Sequence, residues 1–157
     1  MTNRTRWATD TGPEHSQWYV NRFRQLAAEG ADLAGEARLL DTLVPPASRI
    51  LDAGCGTGRV GAAGEGEPFD AAVLAGNVMA FVAAGTERQV LSRVAAHLRP
   101  DGVVAVGFGT DRGYPLTDFD ADAVGAGLRL EHRFATWDLR PWRDDADFAV
   151  TILRRPT

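Results

Sequence analysis

The chain has 157 residues, of which 45% are hydrophobic and 24% are charged, and its net charge is -4. This length fits one domain that can bury roughly 70% of the surface of its unfolded chain. All 17 basic residues are arginine and form no dense stripe, which argues against nucleic acid as a partner. The single cysteine excludes an intramolecular disulfide framework, and no apolar run is long enough to span a membrane.

The N-terminal third predicts two helices. Apolar residues recur at helical spacing from Glu14 to Ala28, and Gly30 offers a stop. A second helix is predicted from about Asp32 to Leu43, ended by Pro45 and Pro46. The polar stretch from Met1 to Gly12 lacks an apolar secretory signal, so we expect a cytoplasmic protein.

A glycine-rich loop follows the first predicted strand. The short apolar run that ends at Asp52 predicts a buried strand, and glycines at positions 54, 56, 58 and 61 follow it. Because glycine lacks a Cβ, a ligand can lie directly on such a backbone. Gly56 to Gly61 also fits the G-x-G-x-x-G dinucleotide fingerprint, which alone is a weak signal.

The dinucleotide interpretation makes a further demand. It requires an acidic residue about 20 positions on, at the end of the second strand, to bind the ribose hydroxyls. Asp70 has nearly that spacing but precedes the apolar run Ala71 to Ala75, and Asn77 lies beyond the end of that run. The geometry therefore disfavours a dinucleotide site.

The full string LDAGCGTGRVG resembles the first motif of the class I S-adenosylmethionine-dependent methyltransferases. The resemblance implies a Rossmann-like α/β fold with a mostly parallel sheet, an antiparallel C-terminal strand pair and S-adenosyl-L-methionine as the cofactor. In that family, glycines at the positions of Gly54, Gly56 and Gly58 line the methionine part of the cofactor. The residue matching Asp52 helps to hold its amino end.

The resemblance also suggests contacts outside the glycines. Cys55 lies inside the loop. Its role is a contact to the cofactor, a small residue that fits a tight turn, or a reactive thiol. N-terminal helices of the family often cover the cofactor, so Trp18, Tyr19 and Arg22 are candidates to reach the site, Arg22 by pairing with the cofactor's carboxylate. Alternatively, Trp18 and Tyr19 are aromatic residues of the core, and Arg22 is exposed to solvent.

Asn77 falls where the family's fourth motif meets cofactor and substrate. We predict that it contacts one of them, with strand termination through side-chain to backbone hydrogen bonds as the alternative. The segment from Gly61 to Pro68 is too short and too rich in glycine to be a crossover helix. The chain thus lacks on the order of 40 residues of the family pattern, including its second and third strands. Either the protein is a shortened member, or an internal stretch is omitted near Ala62 to Gly66.

The rest of the chain resembles the family again. Thr86 to Gln89 predicts a capping box, followed by a helix and a turn at Leu98 to Gly102. Further predicted elements are a strand at Val103 to Phe108, a helix near Asp120 to Ala126, and an antiparallel pair of strands at about Leu128 to Phe134 and Phe148 to Leu153. The three histidines have no metal-ligand spacing, so we expect no metal.

These features predict one methyltransferase-like domain, with residues 1–46 as a helical cap and residues 47–157 as the α/β core. We predict methyl transfer to a small-molecule acceptor, and no catalytic residue can be named. The alternative is a shortened, inactive fold that serves as a binding or dimerisation module. We expect neither nucleic acid nor membrane as partner, and the uncovered first strand predicts a homodimer.

Overall fold

The structure is a computed structural model that describes residue 6, residues 14–54 and residues 66–157. The side chains of residues 15, 16 and 19 also lie outside this description. The described ranges contain five helices and five strands. In chain order they are α1 (His15–Ala28), α2 (Gly35–Leu43), β1 (Ile50–Asp52), β2 (Phe69–Leu74), α3 (Val78–Phe81), α4 (Glu87–His97), β3 (Leu98–Gly109), α5 (Leu116–Gly125), β4 (Arg129–Phe134) and β5 (Phe148–Arg154).

The strands form one sheet in the order β1-β2-β3-β5-β4. β1, β2 and β3 are parallel, whereas β5 runs antiparallel to both β3 and β4. This confirms the predicted Rossmann-like sheet with its antiparallel C-terminal pair and its two preceding helices. Within the described ranges no strand pairs with the outer side of β1, so the second and third strands of the family pattern are missing there.

The central strands are apolar because both of their faces are covered. Ala71 to Leu74 of β2 and Val103 to Phe108 of β3 are all buried, which is typical of parallel strands between two layers. β3 begins five residues earlier than predicted, at Leu98. The predicted turn lies inside it as a bulge, where Asp101 has a φ of 65°.

Different elements cover the two faces of the sheet. The α4/α5 face carries a large buried cluster, which includes Leu74, Leu91, Phe108, Tyr114 and Phe119. On the opposite face, which we call the α2 face, Leu39 and Leu40 of α2 pack on the inner strands. Half-buried Trp137, from the connection between β4 and β5, packs against the same face.

Two local predictions were wrong at helix starts. α5 begins at Leu116, directly after Pro115, and not near Asp120; proline suits the start of a helix, where its missing N–H is not needed. The capping box does not form, because the Thr86 hydroxyl donates to the carbonyl of Ala83 at 2.6 Å. No helix in the described ranges is long and apolar enough to cross a membrane.

Candidate cofactor-binding site

The candidate site lies at the carboxyl edge of the three parallel strands. Ligands of open α/β sheets bind at this edge, where the loops leave the strands. β1 ends at Asp52, and the backbone N–H of Ala53 still donates to the carbonyl of Val73 at 2.9 Å. The glycine loop therefore starts beside the end of β2.

Gly54 is held in close contact with α3. A Cβ on Gly54 would lie 2.3 Å from Cγ2 of Val78, a separation that real Cβ atoms do not show. Glycine is thus required by the space available and not by an unusual φ. This packing holds the start of the glycine loop against the helix that follows β2.

Asn77 joins the ends of two strands. Its backbone is left-handed, with a φ of 66°, a conformation that asparagine tolerates better than most residues. Its Oδ1 accepts a hydrogen bond from the N–H of Gly109 at 2.7 Å, and its own N–H donates to the carbonyl of Gly107 at 3.3 Å. The side-chain oxygen therefore has the strand-terminating role that was the alternative from the sequence. A ligand contact through Nδ2 stays a prediction.

The remaining predicted loop residues divide into two groups. Asp52 is exposed, and its carboxylate makes no ion pair with another residue of the described ranges. Such a carboxylate beside a strand end fits the cofactor's ammonium group. Cys55, Gly56 and Gly58 lie outside the described residues, and so does the predicted join near Ala62.

The N-terminal candidates lie on α1. The Arg22 guanidinium is 5.4 Å from the centroid of the Trp18 ring, a cation–π contact within the helix. No hydrogen bond or ion pair joins Arg22 to Asp52, Gly54 or Asn77 among the described residues. The backbone of Tyr19 belongs to α1, whereas its side chain is outside the description.

Arg6 was not predicted, although it contacts the site region. Its guanidinium donates to the carbonyl of Ala80 at 3.3 Å and to the Glu87 carboxylate at 3.1 Å. Glu87 is only 6% exposed. The two residues are 81 positions apart, so local sequence patterns carry no signal for the contact.

A cavity of about 330 Å³ was also not predicted. It lies between α1, the start of α2 and Trp137, on the α2 side of the sheet. The one available signal was Gly107, since an isolated glycine within a strand suggests the close approach of another group. A Cβ on Gly107 would lie 2.3 Å from Cζ2 of Trp137.

Tyr114, whose pKa is well above its ordinary value, lies away from these residues. Burial and a hydrogen bond that Tyr114 donates to Asp122 at 2.9 Å raise the pKa of Tyr114. Tyr114 belongs to the cluster on the α4/α5 face, so its role is structural. Among the described residues, no group of three His, Cys, Asp or Glu side chains is arranged to hold a metal ion.

One of the solved structures that resemble this chain is similar to it in sequence as well as in structure. The chain is 34% identical to a TehB-like S-adenosylmethionine-dependent methyltransferase from Corynebacterium glutamicum, with a TM-score of 0.80. The match covers 92% of this chain and 100% of that chain. No protein-family model and no curated protein matches the chain.

Two more distant structures share the fold. The 1,6-didemethyltoxoflavin-N1-methyltransferase of Burkholderia thailandensis is 17% identical with a TM-score of 0.58, covering 94% of this chain and 92% of that one. An amino pentose methyltransferase of Micromonospora echinaspora is 15% identical with a TM-score of 0.57, covering 85% and 96%. Because both identities are low, these two matches support the fold alone. The family follows from the 34% identical relative and the motif at the sheet edge: the chain belongs to the class I S-adenosylmethionine-dependent methyltransferases, and its cofactor is S-adenosyl-L-methionine.

Proposed function

We propose that this protein transfers a methyl group from S-adenosyl-L-methionine to a small-molecule acceptor. The observation that carries the proposal is the packing of Gly54 on Val78, which brings the first-motif loop to the segment after β2. The distant structural neighbours include enzymes named for small acceptors, 1,6-didemethyltoxoflavin and an amino pentose. They support a small acceptor here only by analogy of fold.

Residues of the candidate site would hold the cofactor as follows. Asp52 would accept hydrogen bonds from the amino group, and the glycine motif, matched here by Gly54, Gly56 and Gly58 with Cys55 among them, would line the methionine part. Asn77 contributes Nδ2, because its Oδ1 is already bonded to Gly109.

The N-terminal helix supplies the outer part of the proposed site. Tyr19 and Arg22 cover the bound cofactor from α1, and Arg22 pairs with the cofactor's carboxylate once it leaves Trp18. Residues 1–46 thus act as a cap on the α/β core of residues 47–157, within one domain.

The chemistry requires little from the side chains. The cofactor supplies an activated methyl group, so the protein has to orient the acceptor and keep water away. We therefore assign no general base. The cofactor's ribose and adenine also need contacts, and the family's second and third strands, which would supply them, are missing from the described ranges.

Calorimetric titration of S-adenosylhomocysteine tests the cofactor site. We expect micromolar binding, weakened about fivefold by Asp52→Asn, since one exposed ion pair contributes about 1 kcal/mol. Asp41→Asn is the matched control, because Asp41 is an exposed carboxylate on α2. Absence of binding to the folded chain would overturn the proposal in favour of an inactive binding or dimerisation module.

Gly54→Ala tests the packing on Val78. We expect weaker binding of S-adenosylhomocysteine, because the new methyl group must displace the Val78 side chain. Val78→Ala in the same chain removes the clash and should restore binding. If the double variant binds no better than Gly54→Ala alone, displacement of Val78 is not the cause.

We also propose a homodimer formed through β1. This strand has three residues, its outer edge pairs with no strand in the described ranges, and Ile50 is 39% exposed. Uncovered edges readily pair with a second chain. Light scattering should show a dimer that Ile50→Lys converts to a monomer, and a wild-type monomer at high concentration would contradict the proposal.

A further inference from the structure

We propose that the cavity beside Trp137 binds a small protonated amine and that the methyl acceptor belongs to this class. The inference rests on the proposed function and adds the chemical class of the acceptor. The cavity volume of about 330 Å³ is in the range of small-molecule sites. Its walls come from α1, from residues 32–36 around the start of α2, and from residues 137–138.

Trp137 links the sheet to the cavity. Trp137, which lines it, packs directly on Gly107 of β3, where a Cβ would be 2.3 Å from the indole Cζ2. The carbonyl of Gly107 accepts the hydrogen bond from the N–H of Asn77. One residue of β3 therefore separates the cavity wall from Asn77, which places the cavity beside the carboxyl edge of the sheet.

Two glycines make room for the Trp137 side chain. Gly35 at the start of α2 also lacks a side chain at this point, and a Cβ there would lie 3.0 Å from Cβ of Trp137. Two glycines from different elements thus let the indole lie between the sheet and α2. The ring forms a wall of the cavity in addition to its part in the core.

The lining of the cavity carries negative charge. Three of the residues that line the cavity are acidic, namely Asp32, Glu36 and Asp138. The hydrogen bond from Arg38 lowers the pKa of Asp32, and the hydrogen bond from Thr136 lowers the pKa of Asp138. Both groups are therefore ionised at neutral pH.

Glu36 differs from the other two carboxylates. It is half-buried, and within the described part of the chain its carboxylate has no arginine or hydrogen-bond partner. Asp32 and Asp138 are each paired with a largely exposed arginine. A cationic ligand would give Glu36 a partner that the described residues do not supply, whereas an anion would be repelled.

The rest of the lining suits the apolar part of a ligand. Phe23, Leu33 and Trp137 give the cavity an apolar part, and an indole also attracts cations over its face. Carboxylates and aromatic rings together are suited to an ammonium group on a compact apolar frame. Transfer would begin after the ammonium loses a proton to water. The amine nitrogen then forms a bond to the methyl carbon while the carbon–sulfur bond breaks and its electron pair stays on sulfur.

Three compounds with one benzyl frame test the charge preference. Benzylamine, benzyl alcohol and benzoate are titrated into the full chain, and binding is followed at the indole N–H signal of Trp137 by NMR. Trp137→Phe identifies that signal. We expect benzylamine to shift the signal in a saturable way and benzyl alcohol to bind about tenfold more weakly. Benzoate should not bind. Benzoate binding as tight as that of benzylamine, or no response to the amine, would overturn the proposal.

Glu36→Gln locates the preference in the cavity. We expect benzylamine affinity to fall about five- to tenfold, with benzyl alcohol unaffected. Asp41→Asn removes the same charge from the same helix outside the cavity, so it should change neither affinity. Equal effects of the two variants would show that only long-range charge matters and would contradict a site at Glu36.

Methylation assays distinguish this inference from the proposed function. A panel of small amines and the matching alcohols is incubated with S-adenosyl-L-methionine, and methylated products are measured by mass spectrometry. We expect amine products only. Methylated alcohols, or a chain that binds S-adenosylhomocysteine and methylates no amine, would overturn the acceptor class. If the wild-type chain binds benzylamine but does not bind S-adenosylhomocysteine, the proposed function is overturned while the amine site stands.

Discussion

The two faces of the sheet are packed very differently. On the α4/α5 face, Phe108, Tyr114 and Phe119 form an aromatic cluster, with the Phe108 and Phe119 ring centroids 5.2 Å apart. On the α2 face, a nine-residue helix and a half-buried tryptophan cover the same inner strands, and a cavity lies beside them. The α4/α5 face therefore stabilises the sheet, whereas the α2 face is incompletely filled and leaves room for a ligand.

Phe119→Ala should have the largest effect, because this side chain is fully buried in the aromatic cluster. We expect the free energy of unfolding to fall by about 3–5 kcal/mol, measured by urea denaturation. Trp137→Ala is the matching change on the α2 face, and we expect it to be milder because Trp137 is only half-buried. Equal losses would break the distinction between the faces.

Gly107→Ala should have the next largest effect. The added methyl group would meet the Trp137 ring, so the ring must shift or the strand must move, at about 1–3 kcal/mol. A double-mutant cycle with Trp137→Ala, measured by the same denaturation, should show that removing the ring abolishes most of this penalty. Additive effects would mean that Trp137 does not limit the space at Gly107.

Tyr114→Phe should lower stability by about 1 kcal/mol near neutral pH, because it removes the hydrogen bond to Asp122. Burial, followed by that hydrogen bond, raises the pKa of Tyr114 above its ordinary value of 10.0. The folded chain therefore keeps the proton at a pH where the unfolded chain loses it. Stability from this group is present below pH 10 and is lost as the pH rises further.

Denaturation of the wild-type chain and Tyr114→Phe at several pH values up to 11 checks this sign. The gap between the two proteins should shrink above pH 10. A gap that widens there would show that the Tyr114 hydroxyl does not stay protonated in the folded chain.

Glu131→Gln should have the smallest effect. The hydrogen bond from Arg154, at 2.8 Å, lowers the pKa of Glu131 below its ordinary value of 4.5. This stabilisation is present above pH 4.5 and is lost as the pH falls through the lower folded-state value. We expect a loss of at most about 1 kcal/mol at pH 7 and almost none at pH 2.

Thermal unfolding at both pH values measures the effect of Glu131→Gln. Asp111→Asn is the control, since Asp111 is largely exposed and its ion pair with Arg112 is loose, at 3.5 Å. A loss at pH 2 as large as that at pH 7 would contradict a role for the charged carboxylate.

Local patterns predicted much of the fold, and they named three candidate residues that the structure places near the carboxyl edge of the sheet. Helical spacing located α1 and α2, and the apolar runs located the strands. The motif residues Asp52, Gly54 and Asn77 could be named because they adjoin strand ends, and parallel strands bring their carboxyl ends to one edge. The role of Gly54 differed in detail, since the contact that requires glycine is with Val78 of this chain.

Contacts between distant segments could not be predicted in this way. The buried Glu87 pairs with Arg6 from 81 positions away, and no local pattern in the sequence indicates this contact. The cavity collects Phe23, Glu36 and Trp137 from three separate elements, and no spacing in the sequence links them.

The sequence by itself therefore determined the order of the elements, the glycine loop and the family, because hydrophobic periodicity and turn chemistry act over a few residues. Only the tertiary structure decided that the Asn77 oxygen is bonded to Gly109. It also decided that Glu36, which has no partner among the described residues, lies with Trp137 at one cavity. These features depend on which surfaces meet when the sheet is covered. Packing and hydrogen bonding between distant segments select them, and neither is encoded in local spacing.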